Sequence, residues 1–226
     1  MFELPGGLSG ISDSRSGAAV VDRFLDEELR LPRAVLEAVV RAGVTERRRA
    51  DDFHPVNAGG VFDWLGRVHK LRHALREQGW ALSNPQGAPY IQRDDGALLL
   101  GVMQGNDATG NLDKDLKSAY PRGVVLAKLT RNNDRKPGLF EVEPADEEAD
   151  SDMAKVWIFA THFLPKRDDK PARVLLEVSH PEPTSGGQFI TRWAWRCCLD
   201  PFEFPEIGPD VSGDPPDLLD VQVAAR

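Results

Sequence analysis

The chain has 226 residues, of which 41% are hydrophobic and 28% charged, and its formal net charge is −8. That length supports one substantial hydrophobic core, and no run approaches the roughly 20 apolar residues of a membrane helix. The acidity is uneven, with 8 basic and 18 acidic side chains in residues 141–226. A uniformly basic nucleic-acid binder is therefore disfavoured, because a phosphate backbone would meet net repulsion.

Residues 1–18, rich in Gly and Ser, read as a flexible tail. The start lacks a basic stretch followed by an apolar one, so no secretory signal is read and a cytoplasmic location is expected. Val20, Val21, Phe24, Leu25 and Leu29 then fall at helical spacing until Pro32. A second helix is expected from Pro32 or Arg33, lined by Leu36, Val39 and Val40, with Gly43 as its stop. Glu46 to Gly60 mixes charge with turn formers and reads as a connection.

The strongest helical signal runs from Val61 to about residue 78. Val61, Trp64, Leu65, Val68, Leu71 and Leu75 repeat at three and four residues, which predicts an apolar stripe on the sheet. Asp63 suits a first turn, Arg76 a last one, and Gly79 a left-handed cap. Beyond Gly79 the period becomes two. Short strands are expected in WALSN, PYIQRD and GALLLGVM, with Asp95-Gly96 as a tight hairpin.

GVVLAKLT, residues 123–130, reads as a strand, RNNDRKPG as a polar loop, and the acidic run 143–152 as a solvated loop. The clearest strands are 155–164, 172–180 and 188–199, joined by short polar links that suit an antiparallel meander. Five prolines from Pro201 onward predict an extended or partly disordered tail. The expected fold is α+β, with N-terminal helices packed on a mostly antiparallel sheet. Residues 19–200 form one domain in this reading, of which 19–56 is a helical extension, and 201–226 a Pro/Asp-rich tail.

Cys197 and Cys198 are adjacent, so a disulfide between them would close no loop, and two cysteines alone make no zinc site. A reduced thiol pair is expected. The segment GVMQGNDATG could place Asn106, Asp107 and Thr109 at a strand end, with Lys114, Lys117 and Arg122 shortly after to hold a phosphate or carboxylate. The same residues suit a plain turn, since Asn and Asp bond to their own backbone. The spacing matches neither a P-loop nor a dinucleotide fingerprint.

His69 and His73 lie four apart, but Lys70 stands where a zinc protease helix carries glutamate, so no metal is expected there. Arg67, Lys70, Arg72 and Arg76 read as a basic helix face open to an acidic partner or a nucleic acid. On the last strand, alternation puts Trp193 and Trp195 on one face and Arg192 and Arg196 on the other, with Glu177 available across the ladder as an ion-pair partner. No nucleophile motif surrounds His162 or His180, and neither Glu177 nor Lys128 has the neighbours of a restriction-type nuclease site. The expected function is that of a non-catalytic accessory protein of the bacterial cytosol, acting through a protein partner and without a cofactor. The alternative is a phosphate-ligand or nucleic-acid binder, or an enzyme, with its site around residues 106–122.

Overall fold

Two covering layers share one sheet, and each layer has its own apolar core. A computed structural model describes residues 11–12, 18–120, 124–134, 154–183 and 189–204. The acidic run 143–152 and the stretch 205–226 lie outside these residues. The fold is α+β, with N-terminal helices on a mostly antiparallel, open meander sheet.

In chain order the elements are β1 (Ile11–Ser12), α1 (Ala18–Arg23), a π-helical continuation (Phe24–Leu29), α2 (Arg33–Arg47), α3 (Ala58–Arg76), β2 (Ala81–Ser83), β3 (Tyr90–Gln92), β4 (Leu98–Gln104), α4 (Val124–Thr130), β5 (Lys155–Leu164), β6 (Ala172–Pro181) and β7 (Trp193–Phe204). The sheet order is β1-β7-β6-β5-β4-β3-β2. β4 runs parallel to β5, and β1 parallel to β7; every other pair is antiparallel. The meander is therefore interrupted once, between β4 and β5. That parallel step demands a long crossover, and the chain from Gly105 to Ala154 supplies it.

Strand alternation divides the core. Leu100, Val102, Trp157, Phe159, Val174, Val178, Trp195 and Cys197 face the helical layer with Leu25, Leu36, Val40, Leu71 and Leu75. Leu99, Met103, Val156, Ile158 and Ala160 face the opposite way, under Leu116, Leu126, Leu129 and Ile190. The sheet is thus buried on both sides, which explains the nearly unbroken apolar runs of β4 and β5.

Several expectations need correction. Residues 124–130 form a helix, not a strand: Leu126, Leu129 and Thr130 are buried while Lys128 is exposed. That is a helical spacing, which the β-branched Val124-Val125 start disguised. Two residues of the expected N-terminal tail, Ile11 and Ser12, pair with Cys197 and Cys198. The last strand is shifted towards the C-terminus and ends at Phe204. It accommodates Pro201 at a register shift between Val174 and Leu176, a bulge being where a sheet tolerates proline. A second shift between His180 and Pro181 turns Trp193 onto the crossover side, so Trp193 and Trp195 occupy different cores.

Gly43 does not end α2. It lies buried inside the helix, where a Cβ would overlap Asp63 Oδ1 and come within 2.5 Å of Arg67 Cγ and Nε. Gly66 of α3 is the reciprocal close approach, with a Cβ reaching Glu46 Cγ at 2.8 Å and the Ala42 carbonyl at 3.0 Å. At both positions the packing leaves no space for a Cβ. Gly43→Ala should lower unfolding free energy by roughly 1–3 kcal/mol through overpacking, measured by urea denaturation. A change within the scatter of a surface substitution would contradict this contact.

Candidate functional site

The 105–118 segment is a built turn, held from below. Asn106 Nδ2 donates to the Asp115 carbonyl at 3.1 Å, and its Oδ1 accepts from Lys117 N–H at 3.0 Å. Thr109 Oγ1 donates to the Asn106 carbonyl at 2.7 Å, and Thr109 is buried. These two candidates are thus occupied within their own turn, as the chemistry of Asx and hydroxyl side chains favours. Lys117 Nζ lies 4.4 Å from the Phe189 ring centre. Asp107 and Lys114 are exposed and form a 3.4 Å ion pair. Arg122 lies outside the described residues.

Beneath the turn sits a cluster that sequence reading saw only as a cross-strand pair. Glu177 is 0% exposed. Its Oε2 accepts from Arg196 Nη2 at 2.7 Å and from Gly110 N–H at 2.7 Å, and its Oε1 from Arg196 Nε at 3.0 Å and Ser179 Oγ at 2.5 Å. Arg196 also donates Nη1 to the Lys114 carbonyl at 2.7 Å and Nη2 to the Ala108 carbonyl at 3.2 Å. Two strands therefore grip three backbone groups of the crossover. Burial alone would lower the pKa of Arg196, but the hydrogen bond and charge of Glu177 outweigh it and raise it. With no open face, this cluster is a clamp.

Cys198 Sγ lies 3.7 Å from Glu177 Oε2. Burial first, and the neighbouring carboxylate second, push its thiol well above the ordinary range. That setting disfavours the thiolate at neutral pH. Among the described residues, no three His, Cys, Asp or Glu side chains are grouped to hold a metal ion.

On the helical layer, Arg67 departs from its expected place. It is 1% exposed, and its Nε donates to Asp63 Oδ1 at 2.8 Å, with Nη2 2.7 Å from the same oxygen. Neither Nη1 nor Nη2 makes a well-aligned hydrogen bond among the described residues, the Nη2 contact being one of charge and distance alone. Burial pulls the guanidinium's pKa below its usual value, against the opposing charge of Asp63. Because α3 begins at Ala58, Asp63 lies beyond the first turn and faces α2 through Gly43. The expected stripe is thereby rotated. Trp64, Val68, Leu71 and Leu75 still pack inward, but Val61 is 44% and Leu65 49% exposed.

Of the other basic candidates, Lys70 is half-buried and Arg76 exposed. Arg72 Nη2 donates to Asn84 Oδ1 at 3.0 Å. His69 and His73 are exposed, their ring centres 6.1 Å apart, with His73 3.6 Å from Glu77. Outward from α3, then, Val61, Leu65, His69, His73 and Arg76 succeed one another at four- and three-residue steps: apolar at the start, basic at the end. Before the helix, Phe53 is 97% exposed and Val56 is exposed. The His54 ring meets the edge of Phe62, 5.2 Å between centres, which sets this loop against the start of α3. The loop residues were read only as a connection; the isolated Phe53 and Val56 within it were the signal.

No family model, curated protein or solved structure matches this chain. No described helix is long and apolar enough to cross a membrane.

Two outcomes test the clamp. Arg196→Met should cost about 3–5 kcal/mol of stability, the usual consequence of leaving a buried carboxylate unpaired, whereas pairing it with Glu177→Leu should recover part of that loss. Equal losses in single and double variants, read by chemical denaturation, would refute the pairing. Separately, Cys197 and Cys198 should resist a thiol reagent at pH 8 in the folded protein and react fully in denaturant; rapid native labelling would contradict their burial.

Proposed function

We propose that the protein is a binding module that docks a partner protein on the outer side of α3. One observation carries this reading: Asp63 and Arg67 are turned into the protein while Val61 and Leu65, on the same helix, are turned out. Burying charge and exposing aliphatic side chains runs against the ordinary preference of a helix. The arrangement is sensible if the outer apolar residues are covered in use. Each Val, Leu or Phe side chain so covered contributes roughly 1.5–3 kcal/mol at full burial.

Charge selects the occupant. The second half of the line carries His69, His73 and Arg76, with Lys70 and Arg72 beside it, against Glu77 alone. The partner fitting this gradient is an amphipathic segment of another protein, apolar at one end and acidic at the other. The apolar half supplies affinity, and the charged half orientation and encounter rate. A phosphate backbone satisfies only the basic half and leaves Phe53, Val56, Val61 and Leu65 uncovered, which favours the protein partner over the nucleic acid.

A photo-crosslinking residue at position 65, with a control at exposed position 128, tests this in the cells that make the protein. The expected result is one discrete adduct from position 65 alone, mapping to an acidic amphipathic peptide and abolished by R72E/R76E. Absence of an adduct, an adduct indifferent to that charge reversal, or an adduct with a second copy of the chain would overturn the proposal.

A further inference from the structure

On the other side of the sheet, the parallel step creates a second concavity. Since β4 and β5 run the same way, the chain leaves both strands at the same end of the sheet. After β4 it folds back over the sheet as the 105–118 turn; after β5 it enters the hairpin to β6. A groove of about 690 Å³ opens beside the turn, and a neighbouring one of about 630 Å³ lies along the hairpin. Asp107, Leu164 and Arg173 line both.

The floor follows from the register. His162 faces Leu175 across the ladder, and Leu164 faces Arg173; all four lie on the crossover side of β5 and β6, the side of Glu177 and Ser179. Leu164, Leu175 and Arg173 are half-buried. The Arg173 side chain forms no hydrogen bond or ion pair among the described residues, although Glu203 is its register partner on β7. Of the turn's acids, Asp107 lies at ion-pair distance from Lys114, and Asp113 lines the outer edge of the same groove beside it. Asp168, Asp169 and Lys170 at the hairpin tip are exposed to water. A half-buried guanidinium that forms no ion pair with its acidic neighbours, set between two leucines, is a binding element for a planar or tetrahedral oxyanion.

We propose that this groove binds a small organic anion, with its carboxylate or phosphate on Arg173 and Lys114 and its apolar body against Leu164 and Leu175. The Glu177–Arg196 clamp positions the groove's wall, because Arg196 holds the Lys114 carbonyl and Glu177 the Gly110 N–H. Lys114 is thereby presented from a fixed backbone. The site is independent of partner docking on α3, which lies across the sheet.

Titration of the full chain with benzoate and with phenyl phosphate, followed by amide chemical shifts, tests the proposal. Saturable shifts confined to residues 107–114 and 162–175 are expected with at least one probe, and the probe that saturates identifies carboxylate or phosphate. Arg173→Met should weaken that binding about tenfold or more, and Arg173→Lys less, as the loss of a charge-assisted pair implies. Lys114→Met, at an exposed position, should weaken binding without changing the melting temperature. Shifts that grow linearly with both probes, saturable shifts of unchanged affinity in Arg173→Met, or shifts that map to α3 would overturn it.

Discussion

A charge removed from water must be met by its opposite, and this constraint acts on both sides of the sheet, most fully in two pairs. Between α2 and α3 it is Asp63 and Arg67; beneath the crossover it is Glu177 and Arg196. Neither pair is a source of large net stability, because desolvation offsets most of the attraction. Each instead restricts how its covering layer can sit. Of the two, Asp63–Arg67 has the wider consequence. It requires a glycine at position 43, sets the facing of α3 and decides which side chains of that helix meet solvent.

The two sides differ in kind. The helical layer is large and regular, and its outer surface carries apolar residues grading into basic ones. The crossover layer is irregular, tied down by Glu177, Arg196 and Asn133. Asn133 bonds to Val156 and to the Pro181 carbonyl, fixing the end of α4 over the sheet. The proposed partner surface and the proposed anion groove thus lie on opposite sides of one sheet. Interaction between them would have to pass through β4, β5 and β6, whose side chains are packed against both layers.

The elements were mostly legible where periodicity was clean. β5 and β6 follow directly from alternating or continuous apolar runs, and the hairpin before β4 from Asp95-Gly96, where Gly96 takes a φ of 73°. The turn after Met103 was also legible, since Asn106 and Thr109 bond locally. Misreadings arose where a local rule met a tertiary demand. Gly43 looked like a helix stop because its role depends on Asp63, a residue 20 positions away. Arg67 looked like surface because its partner shares its helix and its burial comes from α2. Trp193 changed faces at a bulge that no periodicity records. The groove was only half visible: Asp107 and Lys114 were candidates, but Arg173 enters through the β5–β6 register.

The most direct test is a double-mutant cycle on the unfolding free energy of Asp63→Ala, Arg67→Ala and the combined variant. If this pair sets the seating of α3, the two losses should be strongly non-additive, with a coupling of about 2–3 kcal/mol. Additivity to within about 0.5 kcal/mol would mean that the two side chains act separately, and the outward facing of Val61 and Leu65 would need another cause.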